Sequence, residues 1–182
     1  VGDYGSLGDN EHPAGNVTGA WETPATLNDT WGFKTDDHNW KSLEYLLYLL
    51  VNCASKGVNY LLNVGPTAEG VIPQPSVDVL KQVGEWLDRN GEAIYGTVAG
   101  PFLTDPDWGR ATAKGNTRYL LLKEWPTTDL SIYGLKNRVT EALILGKPDA
   151  TVELSQAGDL LSLRLPVDAP EEIVSVIALT LD

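Results

Sequence analysis

The feature that most constrains this chain is a change of period partway along it. Between residues 39 and 91, apolar side chains recur at helical spacing, interrupted by one short apolar run. Beyond Pro101 the helical period disappears. Leu43, Leu46, Leu47, Leu50 and Ala54 form one stripe at 3.6-residue spacing. Asn39 is a suitable N-cap for that helix, and Lys56-Gly57 a suitable end, with a cation in the last turn and glycine after it. Residues 58–64 form a short apolar run closed by Gly65-Pro66. Flanked by two helices, this run is expected to be a buried parallel strand. The second helix is expected to start at Ser76, with Asp78 in its first turn and Val79, Leu80, Val83, Trp86 and Leu87 on its buried side. Asn90-Gly91 ends it. Helix, strand, helix is the signature of an α/β layer, here too short for a whole α/β domain.

The flanking regions read differently. Residues 1–30 are rich in Gly, Asn, Asp and Pro and read as loop. After Pro101, candidate strands fall at 119–124, 130–133, 139–145, 151–154, 160–165 and 173–180, a spacing that suits an antiparallel sandwich. Leu161, Leu163 and Leu165 alternate with Ser162 and Arg164, one face dry and one wet. Residues 173–179 are apolar on both faces and should form a central strand.

Composition narrows the function classes. The net charge is −12 over 182 residues. Residues 1–99 hold 5 basic and 13 acidic groups, and residues 100–182 hold 8 and 12, so neither part offers a basic surface. Nucleic acid and anionic membrane surfaces are disfavoured as partners. No apolar run approaches the ~18 residues of a membrane-spanning helix. A single cysteine, Cys53, rules out an internal disulfide framework and reads as a small core hydrophobe. His12 and His38 are the only histidines, which leaves little for zinc, and His38 reads as a solvated loop residue. The chain opens at Val1 and contains no Met, so it reads as processed, cut or incompletely recorded, with no signal peptide visible.

Chemistry concentrates in the first thirty residues and just beyond. Asp3, Asp9, Glu11, Glu22 and Asp29 are interleaved with Tyr4, Trp21, Trp31 and Trp40. Carboxylates beside aromatic platforms suit a sugar: the ring's apolar face lies on an aromatic, and carboxylates bind hydroxyls or move protons. An acidic loop with aromatic anchors in the core is the other reading. Dinucleotide, P-loop, zincin and nucleophile-elbow motifs are all missing. Two glycosylation triplets occur, at Asn16 and Asn28.

Longer motifs are more specific. Trp21-Glu22-Thr23, Leu27-Asn28-Asp29-Thr30-Trp31-Gly32-Phe33 and Trp40-Lys41-Ser42 stand in order, followed by Ser55-Lys56-Gly57-Val58-Asn59-Tyr60-Leu61-Leu62-Asn63-Val64-Gly65-Pro66. Gly70-Val71-Ile72-Pro73, Gly84-Glu85-Trp86-Leu87 and Asn90-Gly91-Glu92-Ala93-Ile94-Tyr95-Gly96 continue the register. This run resembles the α-L-fucosidases of glycoside hydrolase family 29. The resemblance implies a retaining hydrolase that releases α-L-fucose from glycans, built from a TIM-type (β/α) barrel followed by an antiparallel β-sandwich. A full barrel takes ~250 residues. The implied organisation is therefore α/β plus all-β: residues 1–99 as the C-terminal part of the barrel and residues 103–182 as the sandwich.

The resemblance also implies roles for residues. The family's nucleophile, an Asp at the end of the fourth barrel strand, lies outside this chain. The acid/base is expected on the loop after Asp3-Tyr4. Aligned on Pro13, the position is Glu11; aligned on Asp3, it is Gly8, with Asp9 adjacent. Glu11 is therefore the expected acid/base and Asp9 the alternative. Trp31 is expected to contact substrate, and Glu22 to stand at a barrel strand end as a substrate-side or supporting carboxylate. Asn63 is expected to join the network at the end of its strand. No cofactor and no metal are implied. The expected partners are a fucosylated glycan and either an upstream barrel segment or a second copy docked on the open barrel edge. The isolated chain is expected to be inactive, and an extracellular or periplasmic location is favoured over the cytoplasm. Two rival readings are a non-catalytic homologue that binds carbohydrate through the Trp-rich loop, and an interaction module in which the sandwich is the working part.

Overall fold

In a computed structural model that describes residues 2–102 and 104–182, the chain divides into two units, Val1–Asp88 and Arg89–Asp182. The expected domain limits at residues 1 and 103 lie outside the described residues.

The first unit is a parallel sheet with a crossover helix. Strands β1 (Gly5–Ser6), β2 (Trp21–Thr26) and β3 (Asn59–Asn63) lie in the order β1-β2-β3, all parallel. Helix α1 (Leu43–Lys56) connects β2 to β3. β1 and β2 fall where the sequence reads as loop. Glu22, Thr23, Pro24 and Thr26 carry no apolar alternation, so β2 is invisible to periodicity. Pro24 is tolerated because its carbonyl faces the β1 side, where it accepts the Asn10 N–H at 2.8 Å. N–H and C=O of one strand residue point the same way, so the missing donor faces a region beyond the end of the two-residue β1.

Helix α1 starts later than expected. Ser42, not Asn39, is its N-cap: the Ser42 hydroxyl accepts the Tyr45 N–H at 3.2 Å. Asn39 is drawn instead to the carboxylates of Asp29 and Asp37. Gly57, with φ 74°, ends the helix in the left-handed conformation that glycine adopts without strain. The buried face is also wider than the expected stripe. Leu46, Leu47, Leu49, Val51 and Cys53 are buried, while Leu43, Leu50 and Ala54 are only partly so. Leu49 and Cys53 join Ala25 and Val58 in one cluster, with Tyr45, Tyr60, Leu62 and Trp21 packed around it. Strand β3 is parallel as expected, but it is not buried on both faces: Asn59 and Leu61 are exposed.

Helix α2 (Gln74–Asn90) begins two residues before the expected cap. Pro75 sits in its first turn, where a missing N–H has no cost. Ser76 is inside the helix and 1% exposed. A 3₁₀ turn, Gly91–Ala93, follows.

The second unit is antiparallel. Strands β4 (Val98–Ala99), β5 (Gly109–Lys114), β6 (Thr117–Leu122), β8 (Val139–Ile144) and β11 (Ser175–Leu181) form a sheet in the order β4-β5-β6-β11-β8, so β11 is internal as expected. Strands β7 (Leu130–Tyr133), β9 (Glu153–Ala157) and β10 (Leu160–Arg164) form a second sheet, β7-β10-β9. Leu120 and Ile177 from the first sheet share one core with Ile132, Leu161 and Leu163 from the second. Strand β5 is absent from the sequence reading because its inward residues, Ala111 and Ala113, are too small to stand out. Gly109 must be glycine: at φ 151° a Cβ would sit 2.1 Å from the Leu121 carbonyl oxygen.

Candidate active site

The polar residues singled out from sequence gather where the parallel strands end. Residues 8–11 follow β1, residues 27–40 follow β2, Asn63 ends β3 and Gly65 follows it. The C-terminal edge of a parallel sheet is the side on which such folds build ligand sites, because the loops there converge.

Each candidate carboxylate is tethered. Glu11 closes a tight turn: its Oε2 accepts the Gly8 N–H at 2.7 Å, and its own N–H donates to the Gly8 carbonyl at 3.0 Å. Asp9 Oδ2 accepts the indole N–H of Trp31 at 3.0 Å. Among the described residues, no hydrogen-bond partner meets the second oxygen of either group. Trp31 is 40% exposed and keeps ring surface for a ligand. Its backbone is fixed from the next loop, where Asn63 Nδ2 donates to the Trp31 carbonyl at 2.7 Å. Gly65 packs tightly there too: a Cβ would lie 2.9 Å from both the Gly32 carbonyl carbon and the Phe33 nitrogen.

Glu22 does not join this group. It is the second residue of β2, level with Ser6 and Asn59 at the strand's start. About 13 Å of strand separates it from Thr26, at ~3.3 Å per residue. Asp3 and Tyr4 precede β1, and Tyr4 is exposed.

Two supporting residues are invisible to motif reasoning. Asp37 is a buried carboxylate whose Oδ2 accepts from Asn28 Nδ2 at 2.8 Å, the Thr30 hydroxyl at 2.8 Å and the Thr30 N–H at 3.0 Å. Its Oδ1 accepts the Asn39 N–H at 3.2 Å. Burial pushes this carboxyl upward, but the hydrogen bonds from Thr30, Asn39 and Asp29 outweigh it and hold it below the ordinary aspartate value. Asp37 thus ties the Trp31 loop together from inside. Its bond to Asn28 also occupies the side chain of one glycosylation triplet. The second residue is Lys41, whose ammonium reaches back to Asn10 and Thr26. It stands inside the Trp40-Lys41-Ser42 motif, but a lysine before a helix carries no sequence signal of its own.

His38 is exposed, and His12 meets the Tyr45 ring edge-on at 5.6 Å. Cys53 is buried, and burial raises its thiol to about 11, which suits a core residue and not a nucleophile. Among the described residues, no cluster of His, Cys, Asp and Glu has a geometry for a metal, and no helix is long and apolar enough to cross a membrane.

The family model for α-L-fucosidases matches residues 2–92. The chain is 30% identical over 174 residues to plasma α-L-fucosidase of Homo sapiens, covering 89% of this chain and 37% of that protein. Its fold is similar to a solved α-L-fucosidase isoenzyme 1 from Paenibacillus thiaminolyticus, with TM-score 0.90, 36% identity, and coverage of 99% of this chain and 45% of that one. It is similar too to a solved α-L-fucosidase from Vibrio sp. strain EJY3, with TM-score 0.87, 31% identity, and coverage of 97% and 32%. The chain thus spans less than half the length of these relatives.

Proposed function

This chain belongs to the α-L-fucosidase family, and from that premise we propose that it is the C-terminal part of a retaining α-L-fucosidase, a hydrolase that frees terminal α-L-fucose from glycans. Residues 1–99 then form the end of a TIM-type barrel, and residues 103–182 form a β-sandwich. The observation that carries this reading is the convergence of Asp9, Glu11 and Trp31 beyond the C-terminal ends of parallel strands. In a retaining mechanism one carboxylate attacks the anomeric carbon, while a second protonates the departing oxygen and later deprotonates water. Glu11 takes the second role in this proposal, with Asp9 the alternative, and Trp31 supplies a platform for the sugar. The nucleophile belongs to the part of the enzyme that relatives have and this chain does not span. The two carboxyl groups of such a pair stand roughly 5–5.5 Å apart, so the upstream barrel must bring its Asp up to this loop.

Strand β3 supports the need for a further segment. Among the described residues it pairs with β2 alone, and Leu61 on it is 51% exposed. We propose that this edge is covered by an upstream barrel segment or by a second copy.

The test is hydrolysis of an aryl α-L-fucoside by this chain alone and by the chain joined to the upstream half. The expected result is no release by the chain alone and release by the joined protein. In the joined protein, Glu11→Gln should lower kcat by ~10²–10⁴, the usual worth of a general acid/base. Full activity in that variant, with loss in Asp9→Asn, would move the role to Asp9. Release by the chain alone would end the missing-nucleophile reading.

A further inference from the structure

The residue between the two candidate carboxylates is held more firmly than either of them. Asn10 has φ 58°, in the left-handed region that asparagine tolerates better than most residues. Its N–H donates to the Pro24 carbonyl at 2.8 Å. Its side-chain oxygen accepts the Thr26 N–H at 3.0 Å and also accepts from the Lys41 ammonium. Asn10 is therefore clamped by backbone and side chain to the end of β2. Because its dihedrals are fixed, the directions in which Asp9 and Glu11 leave the chain on either side are fixed with them.

Lys41 is the centre of that clamp. Its ammonium also donates to the Thr26 carbonyl at 2.6 Å and to the Thr26 hydroxyl at 2.8 Å. Three acceptors match the three protons of an ammonium. Its own N–H donates to the Leu27 carbonyl at 2.9 Å, so the lysine is anchored where it leaves the chain as well. The Tyr45 ring lies 5.5 Å from Nζ. Among the described residues no carboxylate pairs with Lys41 directly; burial pulls it below the ordinary lysine value, and the Asp29 charge opposes that. A partly buried charge that ends on neutral oxygens is a costly way to hold a fold together, since an apolar side chain fills such a space at lower cost. What the ammonium supplies and an apolar group cannot is direction: it draws Asn10 and Thr26 to one point.

Resting on the assignment of the acid/base to this loop, we infer that Lys41 is a positioning residue, which through Asn10 aims the carboxylate of the 8–11 loop at the leaving-group oxygen. It touches no substrate. Its effect on the reaction passes through Asn10.

A leaving-group comparison separates this role from a structural one. A general acid matters most when the departing alcohol is a poor leaving group, and matters little for a dinitrophenolate. In the enzyme comprising this chain and its upstream half, Lys41→Met should cost about 10- to 100-fold in kcat/KM on methyl α-L-fucoside, part of what a general acid supplies. The loss in kcat/KM on 2,4-dinitrophenyl α-L-fucoside, which reports formation of the glycosyl-enzyme alone, should be under about 3-fold, on the same principle. Asn10→Gly, which keeps the left-handed backbone and removes the acceptor, should give the same pattern. Lys41→Arg should recover part of the loss. An equal loss in kcat/KM on both substrates, or none, would overturn the inference. A second measurement covers a variant that fails to assemble: amide exchange in the 182-residue chain. Lys41→Met should speed exchange across residues 8–11 and leave β6 unchanged, and unchanged exchange at 8–11 would also sink the inference. If Glu11→Gln and Asp9→Asn both leave the two substrates unaffected, the acid/base assignment fails, while the exchange result still decides whether Lys41 holds the loop.

Discussion

The two units bury different things. In residues 98–182, Leu120, Ile132, Leu161, Leu163, Ile177 and Leu179 are fully buried and share one core. In residues 2–88, Leu27, Leu46, Leu47, Leu49 and Trp86 are buried as deeply, and Thr23, Thr26, Asn28, Asp37, Asn52, Ser55, Lys56 and Ser76 are buried as well. The corresponding polar set in the second unit, among the described residues, is Asn90, Thr112 and Ser175. A buried polar group must be hydrogen-bonded to be tolerated, and hydrogen bonds are directional where apolar contact is not. The antiparallel unit is thus organised for cohesion. The parallel unit adds to its apolar core directional bonds at Thr26, Asn28 and Asp37 that fix the angles of loops.

Substitutions can break that contrast or sharpen it. The largest loss of stability should come from Leu161→Ala: deleting a fully buried leucine side chain costs about 2–5 kcal/mol, read as a lower midpoint in denaturant unfolding. A loss below about 1 kcal/mol would mean that the sheets do not depend on one continuous core. Gly109→Ala should cost about 1–3 kcal/mol, because a side chain there forces either a strained φ or movement of the Leu121 carbonyl. Thr112→Val should cost about 1–2 kcal/mol, since the Thr112 hydroxyl donates to the Ala93 carbonyl at 2.6 Å in a fully buried position.

Asp37→Asn should destabilise less, and its effect should depend on pH. The folded-state pKa of Asp37 lies below its unfolded value, so its contribution is present above the unfolded value of ~3.9 and is lost as pH falls through the lower folded value. Thermal melts of wild type and variant should therefore differ at neutral pH and converge in acid. A gap that persists unchanged in acid would show that the carboxylate charge is not what holds the Trp31 loop. Smallest on stability is Leu61→Lys, at an exposed position on the sheet edge. It should leave the melt unchanged and abolish self-association of the chain in light scattering.

The same contrast governs how much was legible beforehand. Helix α1, strand β3 and most antiparallel strands were visible because apolar side chains repeat at the period of the element. Strand β2 was not, because a strand ending at a functional edge uses Thr23 and Thr26, not valines, and carries a proline where no ladder partner is needed. Strand β5 was hidden by alanines. Ser42 and Asn39 are both good capping residues, and only the pull of Asp29 and Asp37 on Asn39 decides between them. At the candidate site, Glu11, Asp9 and Trp31 were named through the family resemblance. The bond from the Trp31 indole to Asp9, the left-handed Asn10 and the reach of Lys41 could not be named, since each joins residues far apart in sequence or depends on one dihedral.

Gly65 carries a consequence for anyone redesigning this chain. The loop leaving β3 runs so close to the backbone of residues 31–33 that not even a methyl group fits between them. The Asn63 side chain adds a bond to the Trp31 carbonyl at the same place. The two loops therefore inherit one another's shape. Lengthening the loop after β3 alone would push Trp31 away from Asp9, so libraries should vary residues 28–36 and 63–68 as a single cassette.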